Sequence, residues 1–495
     1  MAVYAVVSHL KILRLFLRIV GVVTQLLISI LTYRTFRKFV TENTAFVIAV
    51  FYYNIIPKNS TVPDFSNMLL WFSTLVFLSF LEFSLHNSAS SRHSAFFLIA
   101  AGVSTSLLVL SYPTCIFVVL PGCIGIWLLS AAGNRLKNLL IYLGTCGVCG
   151  LGWLAYFLCH MSFRQFLDGL SEMLTDGSHD VGLLGKLKDN LSCLGETFPY
   201  LLVALVIALV FWCFFRFICR KNYRFFLLLI ISLILEQLFV WYRLQKHIEY
   251  PGFVYLLFPL WGIYCYFRRK KSSGELAPVY KALFWFGSIT SLFLLLAAFT
   301  ASNTMLYESA DYMAIGMLVS LCYAEREISE SPVFWKSFVL LFVGLAVIHK
   351  GFLLYNIYGH DTIFVTRQKA EEGPMAEIYG RYSDGYEYNI RGRLLDEFIP
   401  RGSKVLIASH KSIMYLQEDY VICNYSTIST PTIDERLFQY WTLYPDKVPE
   451  YIVWDKGSEG YIATNPEVNA RLVENAELLV DDEGLLIYRL PANPY

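Results

Sequence analysis

The stretch Tyr53–Thr74, YNIIPKNSTVPDFSNMLLWFST, carries one carboxylate, Asp64, between two apolar runs. Pro57, Lys58, Asn59 and Ser60 close the first run, and Asp64-Phe65-Ser66 opens the second ahead of Met68, Leu69 and Leu70. Apolar runs joined by a short polar link form a pair of helices. What surrounds the pair decides whether it sits in water or in a bilayer. Asp64 itself is open to two readings. It caps the helix that starts near Ser66, where an acid is stabilising, or it belongs to a site at a membrane surface.

The composition answers the first question. The chain has 495 residues, of which 56% are hydrophobic and 16% charged, with a mean hydropathy of +0.50. Soluble domains carry roughly 45–50% apolar and about 25% charged residues, so the excess calls for a polytopic membrane protein. Its near-zero net charge hides an asymmetry. Residues 1–358 hold 27 Lys+Arg against 17 Asp+Glu, and residues 359–495 hold 13 against 22. A multi-span domain over 1–358 is thus followed by an acidic soluble domain over 359–495, and nucleic acid is excluded as a partner. Most of the 11 cysteines lie inside apolar runs, which is no disulfide framework. Cys146 and Cys149 form a CxxC within YLGTCGVCGLGWL, where packing of small residues is the better reading.

Twelve apolar segments can be read as spans: 12–33, 44–57, 67–85, 94–112, 114–132, 139–160, 198–219, 225–242, 252–267, 282–301, 312–324 and 334–358. The loops alternate in charge. One set, including YRTFRKF, GNRLKN, RFICRKNYR and RRKKSSG, holds 17 Lys+Arg, and the opposite set holds six. The positive-inside rule puts the basic set in the cytoplasm and the C-terminal domain outside the cell membrane. Twelve spans then leave the N-terminus outside as well, with Lys11, Arg14 and Arg18 on the side the rule disfavours.

Beyond Gly359 the pattern shortens. KVLIASH (404–410), DYVICNYS (419–426), EYIVWD (450–455) and GLLIYRL (484–490) read as strands, with NIRGRLLDEFIP and NPEVNARLVENAEL as helices between them. The alternation predicts a small α/β domain. It contains no glycine-rich phosphate loop and no metal-spaced His/Cys set, and His410 stands alone.

A multi-span body with external loops and a C-terminal external α/β domain resembles the GT-C superfamily of membrane glycosyltransferases, in particular the protein O-mannosyltransferases and aminoarabinose transferases. PDFSNMLLWFSTLVFL is similar to the family's second acidic position, ahead of a helix opening with Leu-Leu, and the match falls on Asp64. EEGPMAEIYGRYSDGY (371–386) is similar to a Gly-Pro segment that follows the last span in bacterial relatives. The resemblance implies transfer of a sugar from a polyprenyl-phosphate donor to an extracytoplasmic acceptor glycan, lipid or protein, with Asp64 orienting the acceptor. The family's principal acid lies in a loop after its first span, and residues 1–11 hold no Asp or Glu. The chain so read resembles a member without its first helix and catalytic loop, active weakly or not at all by itself.

Such a transfer needs a base for the acceptor, cations for the departing phosphate and a groove for the lipid. WYRLQKHIEYPG (241–252) supplies Arg243, Lys246 and His247 at an external helix end. They bind phosphate, or they are snorkelling anchors, with Glu249 at hand to pair with them. Lys350, beside His349 in the last apolar run, reaches a lipid phosphate or pairs with a buried acid such as Glu236. In the external loop 162–190, Asp168 and Glu172 share one face of an amphipathic helix expected to lie on the membrane. DGSHD (176–180) could take a divalent cation or be merely solvated, so neither metal nor cofactor is assigned. Two other classes fit the composition: a transporter or flippase for lipid-linked saccharides, and a non-catalytic cell-envelope membrane protein. Transporters usually show internal repeats, and none is visible here.

Overall fold

The computed structural model describes residues 13–55, 61–86, 91–174, 184–189, 191–192, 213, 217, 257–273, 278–300, 312–328, 367–371, 379–409, 412–425, 435–456 and 466–491. The chain divides into two compact units, Val20–Ile363 and Phe364–Tyr495 with Met1–Ile19. The boundary expected at 358/359, the apolar runs 225–242 and 334–358, and all of 198–219 but positions 213 and 217 lie outside the described residues.

The larger unit is helical. Its elements are α1 (Leu13–Phe36), α2 (Glu42–Asn54), α3 (Phe65–His86), α4 (Ser91–Ser111), a 3-10 turn (Pro113–Val118) running into α5 (Val119–Leu129), α6 (Arg135–Leu158), α7 (Phe163–Leu174), α8 (Leu257–Ser273), α9 (Pro278–Thr300) and α10 (Ala314–Ile328). Among the described residues, five helices are long and apolar enough to cross a membrane: Phe16–Phe36, Phe65–His86, Arg92–Ser111, Ala132–Leu158 and Pro278–Thr300. This is a membrane protein. The count of twelve spans is not reached by these five.

Aromatic side chains fill the centre of the bundle. Phe80 of α3 stacks on Phe286 of α9 at 4.3 Å between ring centroids and meets Tyr142 of α6 at 5.3 Å. The Phe286 ring is received by Gly125 of α5, where an added Cβ would stand 2.3 Å from a ring carbon. Close approach through small residues is how helices associate where lipid removes the usual hydrophobic drive. In α9, residues Leu283–Ile289 are wound as a π-helix, a local widening that brings Phe286 and Gly287 to buried positions.

The glycines of α6 depart from the packing expected of them. Cys146 does rest on α4, its thiol 3.6 Å from the Gly102 carbonyl. Gly144, Gly147, Gly150 and Gly152, however, meet nothing within 4 Å among the described residues. Only Asn138 and Tyr142 of α6 are buried, because the helix turns a single polar-tipped stripe to its neighbours and leaves its leucines outward.

Polar side chains tie the helix ends together. At one end of the bundle, Lys38 places its ammonium 2.6 and 2.7 Å from the two oxygens of Glu82, and Thr35 adds a third donor at 3.0 Å. Beside them the Thr41 N–H donates to Glu325 of α10 at 2.8 Å. At the other end, Gln25 of α1 is 1% exposed. Its amide donates to the carbonyls of Tyr52 and Ile55, both at 3.0 Å, and its oxygen accepts the Trp71 indole N–H. The 13 residues of α2 cover about 20 Å at 1.5 Å per residue, short of a bilayer core of about 30 Å. Its last carbonyls need partners at membrane depth. The Ile55 N–H serves Tyr52, and Gln25 adds a donor from a neighbouring helix.

The smaller unit holds a hairpin, β1 (Arg367–Lys369) with β2 (Tyr379–Arg381), then α11 (Tyr382–Phe398), β3 (Lys404–Ala408), β4 (Val421–Ile422), α12 (Glu435–Leu443), β5 (Tyr451–Asp455), α13 (Pro466–Val473), β6 (Glu477–Asp482) and β7 (Leu485–Arg489). A five-stranded sheet runs in the order β4-β3-β5-β7-β6, with β3 parallel to β4 and β5, and β7 antiparallel to its neighbours. Residues expected at the end of the last helix, Glu477 and Leu478, instead enter β6. There they pair with β7, and Val480 enters the core. Glu483 and Gly484 link the two strands with φ of 46° and 74°, the pair of positive values a two-residue hairpin turn requires. A buried ion pair, Arg391 to Asp455 at 3.1 Å, holds α11 to the carboxyl end of β5. Ser409 donates to the other Asp455 oxygen at 2.7 Å, and the Arg391 Nε donates to the Glu483 carbonyl at 3.2 Å.

Candidate functional site

Asp64 stands at the start of α3, at the end of the bundle opposite the Lys38–Glu82 pair. Its Oδ1 accepts the Asn67 N–H at 2.7 Å and the Asn67 side-chain amide at 2.9 Å, and its carbonyl accepts the Met68 N–H at 2.9 Å. The acid therefore does cap α3. Only one carboxylate oxygen is occupied by capping; among the described residues no hydrogen bond or ion pair engages Oδ2, and the residue is half-buried.

Three features of the fold hold it there. Thr61 lies across Gly21 of α1, so closely that a Cβ on that glycine would come within 1.6 Å of the Thr61 oxygen. Trp71, seven residues along α3, is fastened to Gln25. Phe65, next to Asp64, stacks on Tyr112 at 6.0 Å, and Tyr112 meets Tyr312 edge-on at 5.9 Å. These rings form an aromatic ledge beside the acid.

From the ledge the polar contacts lead to a lysine. Thr114 donates to the Ala297 carbonyl near the end of α9 at 3.0 Å, and two residues on, the Phe299 carbonyl accepts from Lys186 at 3.3 Å. Lys186, on the short helical stretch 184–189, is 2% exposed, and burial lowers its pKa. A charged ammonium is costly in such a place unless something compensates it. Nothing in its local spacing marks it. Its one signal in the sequence is the apolar GLLGKL context in a loop set poor in basic residues.

Asp168 lies on α7, half-buried, and position 172 falls on the same helix one turn later. No hydrogen bond or ion pair joins Asp168 to Asp64 among the described residues. Arg243, Lys246, His247 and Lys350 lie outside the described residues, as do Glu236, His349, His410 and the 176–180 acids. Among the described residues, no three His, Cys, Asp or Glu side chains gather in a way that could hold a metal ion.

No protein-family model matches the chain, and no curated protein is similar to it. Solved structures are, among them two oligosaccharyltransferases. The Archaeoglobus fulgidus oligosaccharyltransferase in complex with Zn and sulfate aligns with 97% of this chain and 62% of its own, at 12% identity and a TM-score of 0.41. The archaeal oligosaccharyltransferase AglB from Archaeoglobus fulgidus, in complex with an inhibitory peptide and a dolichol-phosphate, aligns over 97% and 64%, at 12% identity and a TM-score of 0.40. The chain thus spans less than two thirds of the length of either. Scores below 0.5 at this identity do not define a shared fold.

Proposed function

We propose that the protein is a GT-C-like glycosyltransferase that passes a sugar from a polyprenyl-phosphate carrier to an acceptor on the extracytoplasmic face. The observation that carries this reading is the half-used carboxylate. Asp64 spends one oxygen on its helix, and among the described residues nothing engages the other, beside an aromatic ledge at the end of the bundle where basic loop residues are sparse. A free carboxylate oxygen can accept the proton of an acceptor hydroxyl or orient it. Phe65 offers a ring face to a sugar or an isoprenoid, and Lys186 adds a cation at the same end for a departing phosphate. Arg243, Lys246, His247 and Lys350 are the further cations we assign to carrier binding, and Asp168 and Glu172 to the acceptor side.

The test is sugar transfer in native membranes with and without the chromosomal gene. A polyprenyl-phosphate sugar labelled in the sugar is supplied, and label is followed into glycan, lipid and protein fractions. Loss of label from one fraction on deletion supports the assignment. Unchanged labelling of every fraction would remove it.

A further inference from the structure

The proposed reaction uses the acidic side of α7 and leaves its apolar side unexplained. Ser162 and Gln165 start it with a reciprocal cap, the Gln165 N–H donating to the Ser162 hydroxyl at 3.2 Å and the Ser162 N–H to the Gln165 side chain at 2.8 Å. At about 100° per residue, Phe163, Phe166, Leu167 and Leu170 fall within one arc of roughly 100°, and Arg164, Asp168 and Glu172 fall on the opposite side. Among the described residues, one edge of the apolar arc makes aromatic contacts. Phe166 packs on Phe157 and Trp153 of α6, at 6.1 and 6.3 Å between centroids. Phe163, Leu167 and Leu170 remain 56%, 46% and 40% exposed.

The surface that this arc continues identifies its occupant. α6 is 24 residues long, about 36 Å, enough to cross a bilayer core. Its outward leucines and valine, such as Leu140, Val148 and Leu151, are 60–71% exposed, the composition of a lipid-facing side. Trp153 and Tyr156 sit near its end, where interfacial aromatics belong. α7 begins five residues after Leu158, so its exposed arc starts where the lipid-facing side of α6 stops. We infer that α7 lies in the membrane interface at the Trp153 end of α6, with Phe163, Leu167 and Leu170 in the boundary between acyl chains and headgroups and Asp168 turned to water. The helix carries one basic and two acidic residues. Its attachment is therefore apolar, and anionic lipid is not needed to hold it.

The inference is tested with p-benzoylphenylalanine placed at Leu167, at Leu170 and, on the polar side, at Asp168, each in the full chain reconstituted in phosphatidylcholine vesicles. After irradiation, mass spectrometry identifies the adducts. Acyl-chain adducts at 167 and 170 and none at 168, unchanged by high salt or added phosphatidylglycerol, are expected. Crosslinks from 167 and 170 to another segment of the chain or to a second polypeptide would overturn the inference, as would equal lipid yields at all three positions. Both apolar positions are exposed, so one variant reports if the other fails to fold, and size-exclusion profiles verify each.

Discussion

Trp71 of α3 donates its indole N–H to the side-chain oxygen of Gln25 on α1, and that glutamine's amide closes the end of α2. Three helices thus meet on one side chain buried at 1% exposure. Replacing Gln25 by Leu takes the acceptor from the Trp71 indole and the side-chain donor from the Tyr52 and Ile55 carbonyls, of which Tyr52 keeps the Ile55 N–H at 3.0 Å. Each unsatisfied buried group costs about 1–3 kcal/mol. Gln25→Leu should therefore lower the thermal midpoint in detergent strongly, and Trp71→Phe more modestly. The double variant should be less destabilised than the sum of the two, since the indole donor is already gone. Additive losses would show that the contact contributes nothing.

Gly21 and Gly147 make a matched pair of glycines in apolar helices. A methyl group at Gly21 would collide with Thr61, whereas one at Gly147 meets open space. Alanine in a helix interior is favoured over glycine by roughly 0.5–1 kcal/mol. Gly147→Ala should be neutral or stabilising, and Gly21→Ala should destabilise and displace the segment leading to Asp64. Protease sensitivity near Thr61, compared between the two variants, checks both expectations.

Much of this was readable in advance, for reasons that differ by element. The runs that became α1, α3, α4, α6 and α9 are apolar over enough residues to be seen without any partner. β3, β5 and β7 announce themselves by β-branched runs between turns. β6 does not, because ELLVDD follows a helical pattern without a break and is drawn into the sheet by pairing with β7. Gln25 and Lys186 were hidden for another reason. Each has apolar neighbours on its near side, and its partner, Trp71 or Phe299, lies 46 or 113 residues away. The capping role of Asp64 is local, within three residues, and the sequence suggested it directly.

Cys423, at the carboxyl end of β4, is buried, and burial pushes its thiol up to about 12. An unfolded cysteine titrates near 8.5. The folded state therefore keeps its proton where the unfolded state loses it. This contribution to stability is full below about pH 8.5 and declines as pH rises toward the folded value. Cys423→Ala should flatten the stability profile of the sheet between pH 8.5 and about 12, read by hydrogen exchange of β3 and β5. Iodoacetamide at pH 8 should leave Cys423 unmodified in the folded chain and alkylate it after denaturation. Ready alkylation of the folded chain would contradict its burial.

The proposed extracytoplasmic side of the C-terminal unit rests on the 17 to six division of basic residues among the loops. Leu443 is 63% exposed on that unit. Leu443→Cys should react with a membrane-impermeant maleimide in intact cells. Labelling only after lysis would reverse the orientation and place Asp64 on the cytoplasmic face.

Capping and chemistry at Asp64 can be separated by one substitution. Asparagine caps helices about as well as aspartate, so Asp64→Asn preserves the bonds to Asn67 while removing the charge. The measurement is sugar transfer from a polyprenyl-phosphate donor in native membranes carrying Asp64→Asn at the chromosomal locus, beside the thermal midpoint of the purified variant. Transfer reduced about 100- to 10,000-fold at an unchanged midpoint is expected of a residue that handles the acceptor's proton. Undiminished transfer with the same unchanged midpoint would leave Asp64 a helix cap and nothing more.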